Sequence, residues 1–139
     1  MKISIILLSL WFLSCQGNKP KKSLIINGKD VFIGKWITTT AIRDGKPDTI
    51  IIGKYEHDDS YHNRHHDYSI SDLINGDKGS ADADLEGSEV VIYHYGFGER
   101  LVFKYEENSD RLLFSSEHLK NDKVISTGSY PNREYIRIK

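Results

Sequence analysis

A single cysteine, Cys15, serves a chain of 139 residues. One thiol forms neither an internal disulfide nor a cysteine-rich zinc site. Charge of one sign is equally scarce. Nineteen Lys and Arg stand against 20 Asp and Glu, a net charge of -1. The basic excess that a dedicated nucleic-acid binder needs to neutralise phosphates is therefore missing. No glycine-rich phosphate loop follows a strand-like run, and neither Gly-x-Ser-x-Gly nor His-Glu-x-x-His occurs. These absences exclude the common nucleotide folds, the nucleophile-elbow hydrolases and the zincins. Past the amino terminus no stretch sustains apolar residues at helical spacing, so a helix-packed fold is excluded as well. The length suits one domain.

What is present begins with an address. Lys2 gives a short positive start, and residues 3–13 form an apolar run of 11 broken by Ser4 and Ser9. A spanning helix needs about 20 apolar residues to cross a core of roughly 30 Å. This run is shorter, and polar Gln16, Gly17, Asn18 and Lys19 follow it. Such a segment is an export signal. Leu13, Ser14 and Cys15 resemble the cleavage box of a bacterial lipoprotein signal in its relaxed, Bacteroidetes-type form. The resemblance implies a signal peptide over residues 1–14, a diacylglyceryl group on the Cys15 sulfur and a linker over residues 15–30. Each lipid methylene buried contributes about 0.8 kcal/mol, and more than one chain makes a lasting anchor. No Asp follows Cys15, so the expected location is the bacterial envelope, at the periplasmic face of the outer membrane.

From residue 31 onward, β-branched and aromatic runs alternate with turn residues. The spacing predicts strands over residues 31–42, 48–56, 67–74, 89–95, 99–106, 111–118, 123–128 and 133–139, with a weak edge strand over 80–87. Asp44-Gly45, Gly96-Phe97-Gly98 and Asn121-Asp122 are the turns between them. Sequential hairpins in a chain this size solve their edge problem by closing on themselves. The expectation is an all-β domain over residues 31–139, an antiparallel up-and-down barrel of about eight strands. Gly34, Lys35 and Trp36 open the β region, and Tyr135, Ile136 and Arg137 close it. This pairing resembles lipocalin-like barrels, specifically small lipocalin-like lipoproteins of Bacteroidetes, some carried on conjugative transposons. The resemblance implies that Gly34 and Trp36 belong to the closed end, that Trp36 plugs it, and that Arg137, with Arg133 as second choice, covers the ring in a cation–π contact. It implies no activity.

Two clusters carry possible chemistry. His57, His62, His65 and His66 fall within ten residues, beside Asp58, Asp59 and Asp67. Imidazole and carboxylate are ligands for zinc, copper or nickel. On an extended strand His62 and His66 share one face and His57 and His65 the other, so only a bent loop gathers all four. The plain alternative is a solvated loop. The second cluster is aromatic: Tyr93, Tyr95, Phe97 and Phe103 surround one hairpin, with Phe97 at its tip. The plain alternative is ordinary packing, half core and half surface; the functional reading is a binding mouth for an apolar ligand or a partner protein, with Phe97 as its anchor. Paired carboxylates such as Asp82 with Asp84, or Glu106 with Glu107, lie in polar surroundings that leave them solvated charges. The sequence therefore points to a non-catalytic envelope lipoprotein without cofactor, tethered to a membrane. It binds a small apolar ligand or another envelope protein, and metal binding by residues 57–67 is the alternative. An interior space bounded by Trp36, Ile50, Ile52, Tyr93 and Phe103 would favour the small ligand; a filled interior favours the protein.

Overall fold

A computed structural model describes residues 24–26, 29–42, 45–56, 66–71 and 79–139. Eleven strands occur among them: β1 Ile25–Ile26, β2 Lys29–Asp30, β3 Gly34–Thr38, β4 Thr49–Lys54, β5 Tyr68–Ser71, β6 Ser80–Glu86, β7 Glu89–His94, β8 Glu99–Glu106, β9 Arg111–Lys120, β10 Lys123–Thr127 and β11 Arg133–Ile138. One short 3-10 turn, Tyr95–Phe97, joins β7 to β8. Strands β3 to β9 follow one another around a closed antiparallel barrel. β11 completes the ring by pairing with both β3 and β9, and β8 pairs with β9.

Eight strands make the barrel, as the sequence predicts, but they are not the same eight. The weak run over residues 80–87 is a full wall strand, β6, paired with β5 on one edge and β7 on the other. It is no edge strand. Its inward residues are Ala81, Ala83 and Leu85, and its outward ones are Asp82, Asp84 and Glu86. Ala and Asp have low strand propensity, which hides the strand from a propensity reading. Small inward residues are what lets bulky Tyr68, opposite Ala83, fit across the ladder. The run over 123–128 is the strand left out. β10 pairs only with the last part of β9, and all five of its residues are exposed.

β9 explains the arrangement. Along one edge Arg111 to His118 pair with β8. The other edge is divided: Arg111 to Phe114 pair with β11, and Glu117 to Lys120 pair with β10. β9 and β10 thus leave the wall as a two-stranded ribbon at one end. A bulge at Ile125 bends the ribbon's outer strand.

Alternate residues of the wall point inward and form one core. Trp36, Tyr68, Tyr135, Phe32, Phe103 and Phe114 are its largest fully buried members. The packed body starts before residue 31. Leu24 and Ile26 lie against the core, and the β1–β2 pair folds the chain back across one end of the barrel.

Candidate functional site

The two ends of the barrel differ in construction. At the first end Trp36 is completely buried and its indole N–H donates to the Phe32 carbonyl at 2.9 Å. Arg137 lies directly across the ladder from it, with its guanidinium carbon 4.1 Å from the ring centroid. The same guanidinium donates to the carbonyls of Ile33 and Val31, both at 2.7 Å, and to the Asp110 carboxylate at 3.2 Å. Gly34 has φ +147°, and a Cβ there would sit 2.8 Å from Arg137 Nη1. Both the backbone angle and the approach of Arg137 demand glycine. The Tyr68 hydroxyl donates to Asp30, and Tyr105 donates to Asp110. Burial, then the Asp30 carboxylate, push the Tyr68 pKa well up. Gly34, Trp36 and Arg137 therefore form the geometry of a sealed end.

The middle is filled. Trp36, Ile50 and Phe103 expose none of their surface and Ile52 exposes 1 %. Tyr93 is not beside them. It stands on the outer wall, with Ile92 and His94 pointing the other way. Phe103 belongs to the core, where its ring lies 5.1 Å from that of Phe114 and 6.2 Å from that of Tyr135. Of the four hairpin aromatics, then, Tyr93 and Tyr95 share a surface, Phe97 lies nearest His94, and Phe103 is in the core.

That surface is the second end, the rim. The β7–β8 turn lifts Tyr95 and Phe97 out of the wall to 73 % and 79 % exposure, the largest values of any apolar or aromatic side chain described. Gly98 closes the turn with φ +61° and accepts the Leu119 N–H at 2.7 Å. This bond holds the turn against the β9–β10 ribbon, where Val124 and Ile125 are also exposed. Tyr95 stacks on Tyr93 at 5.4 Å with 13° between the planes.

Below the stack lies a charged network. The Tyr93 hydroxyl donates to Glu86 at 2.6 Å; burial, then this carboxylate, raise its pKa. Arg100, paired across from Tyr93, donates to Glu117 at 2.6 Å and to Glu86 at 3.4 Å. A hollow of about 350 Å³ opens between this network and the ribbon, lined by Asp84, Glu86, Tyr93, Tyr95, Arg100, Leu119 and Asp122. Two larger concavities lie elsewhere. One, of about 830 Å³, is bounded by Arg137 and Asp110 of the sealed end. The other, of about 650 Å³, follows the outer wall where β9 parts from β11 and mixes Lys104 and Arg133 with Glu89, Glu117 and Glu134.

Inside the rim, two ionised arrangements brace the wall. Glu99 is buried and accepts the Ser129 N–H and hydroxyl at 2.7 and 2.6 Å, with His118 Nδ1 at 3.3 Å. The Ser129 hydroxyl, then its N–H, hold the Glu99 carboxyl below its usual range. Arg133 donates to Asp48 at 3.1 Å, both nearly buried.

Of the remaining expected residues, Cys15, His57, His62 and His65 lie outside the described residues. His66 is described: its Nδ1 is 3.3 Å from Asp84 and its Nε2 is 4.0 Å from Asp82. Among the described residues no three His, Cys, Asp or Glu side chains converge on a metal position. Arg100, Glu86, Asp122 and the ribbon apolars carry no sequence motif. Only their alternation with Tyr93 along paired strands could have placed them together. Comparison with protein-family models, curated proteins and solved structures finds no significant match.

Proposed function

We propose that the protein is a non-catalytic lipoprotein of the bacterial envelope, anchored through lipid on Cys15, that binds another envelope protein at the barrel rim. One contrast supports this reading. The interior side chains that would bound a ligand space are packed to 0–1 % exposure, while the two most exposed aromatics, Tyr95 and Phe97, stand together at one end. Large aromatics with little conformational freedom to lose are the usual anchors of protein interfaces. A filled barrel with aromatics held outside it is a scaffold for a docking surface.

The tether agrees with the direction of the rim. Leu24 packs against the core, and Val31 and Ile33 bond Arg137 at the sealed end. From Cys15 to Leu24 the chain spans at most ~30 Å. A lipid on Cys15 keeps the sealed end near the bilayer and turns Tyr95 and Phe97 away from it.

Photo-cross-linking tests the reading. The full chain carrying benzoylphenylalanine at position 97 is expressed in its own envelope, with the same probe at position 54 as control. One predominant cross-linked protein is expected from position 97, lost on Tyr95→Ser. Equal labelling from both positions, or none from position 97, overturns it.

A further inference from the structure

The rim has a chemical preference. Its hollow is lined by three carboxylates, Asp84, Glu86 and Asp122, against one guanidinium, Arg100. Arg100 does not balance all three: it is shared between Glu117 at 2.6 Å and Glu86 at 3.4 Å, while His66 Nδ1 lies 3.3 Å from Asp84. The two lysines of the same hairpin, Lys120 and Lys123, are not among the lining residues. One wall of the hollow is Tyr95, stacked on Tyr93 by one face and 73 % exposed. Phe97, two residues on and 79 % exposed, is not among the lining residues; its ring lies 6.3 Å from that of His94. The hollow is thus negative beside an open aromatic face.

Resting on the partner-binding reading, we infer that the partner enters as a basic segment. An arginine guanidinium occupies the hollow between Tyr95 and the carboxylates of Asp84, Glu86 and Asp122. Arginine fits better than lysine. Its planar group stacks on an aromatic face and offers paired N–H donors to carboxylates at the same time. A cation over a tyrosine face gains further electrostatic attraction from the ring. An acidic segment meets repulsion in the same place, so the surface discriminates by charge as well as by shape. The other two concavities carry no such preference: the outer-wall groove mixes both signs, and the hollow beside Arg137 adjoins the Asp110 ion pair of the sealed end.

The test uses the full chain and two rhodamine-labelled peptides, acetyl-Leu-Arg-Leu-amide and its citrulline counterpart, followed by fluorescence anisotropy. Citrulline keeps the shape of arginine and removes the charge. The arginine peptide is expected to bind about tenfold more tightly, equivalent to about 1.4 kcal/mol, and to weaken as salt is added. A Glu86→Gln, Asp122→Asn double variant is expected to lose that margin. It keeps the fold, because an amide oxygen still accepts from Tyr93 and asparagine tolerates the φ of +59° at position 122. Equal binding of the two peptides, an unchanged margin in the variant, or no binding of the arginine peptide overturns the inference. If position 97 still cross-links a protein in that case, the basic-segment inference alone fails. If it does not, the partner reading fails with it.

Discussion

The sealed end and the rim are made from the same wall strands and do opposite things with their polar groups. At the sealed end the Trp36 indole, the Tyr68 and Tyr105 hydroxyls and the Arg137 guanidinium all have partners within the chain. Toward the rim, His94 Nδ1 and Arg133 Nε are buried without a hydrogen-bond partner among the described residues. The largest exposed aromatics are there too. A group left unmatched costs stability, and so does an aromatic held in water. The difference teaches where this chain places its stability and where it gives some up. Mutation should hurt folding at one end and binding at the other.

The strongest way to break that contrast is Trp36→Ala. Removing a fully buried indole is expected to cost about 3–5 kcal/mol, read as a lower denaturant midpoint; a loss below ~1 kcal/mol would remove the plug from the account. Next comes Arg137→Met, which strips two carbonyls and a carboxylate of their donor. Its expected cost is about 2–3 kcal/mol, with the near-ultraviolet signal of Trp36 altered. Gly34→Ala follows, with strain at positive φ and a contact of 2.8 Å to Arg137. About 1–3 kcal/mol is expected, and restoration of stability in Gly34→Ala, Arg137→Met relative to the sum of the singles would sharpen the assignment.

Acid should lower stability through the buried Glu99 near the rim. The Glu99 carboxyl is held below its ordinary value of 4.5 by Ser129. A depressed folded-state pKa contributes stability above the unfolded value and loses it as pH falls through the folded one. Stability is therefore expected to decline below about pH 4.5, and Ser129→Ala should flatten that decline in a pH series of melting temperatures. The smallest structural effect belongs to Phe97→Ser. Stability should stay within ~0.5 kcal/mol, while cross-linking and peptide binding at the rim fall. Equal damage to fold and binding would erase the distinction between the two ends.

Most of the barrel was legible because its strands alternate. The Glu89–His94 and Glu99–Glu106 hairpin reads directly from Val, Ile, Tyr and Phe around Gly96 and Gly98, and its six-pair register agrees. β6 and β10 were exchanged because local composition speaks to propensity and not to partners. Lys-Val-Ile-Ser-Thr looks like a wall strand, yet β9 has no free edge left to place it in the ring. Ser-Ala-Asp-Ala-Asp looks like a weak edge strand, yet small inward residues suit the space beside Tyr68. Phe103 and Phe97 illustrate the same limit. Both are phenylalanines of one hairpin, but only register across the sheet tells that one is sealed in and the other stands in water. Of the rim carboxylates the sequence singles out only Asp84, as solvated charge, because its meeting with Glu86 and Asp122 depends on a ribbon that leaves the barrel.

Arg137 joins carbonyls 104 and 106 residues earlier in the chain, and β11 is the strand that lies between β3 and β9. The ring therefore stays a curled open sheet until β11 has emerged from synthesis. Throughout that interval β3 and β9 carry bare edges, so the time during which this polypeptide is open to wrong edge pairing is set by how late β11 arrives.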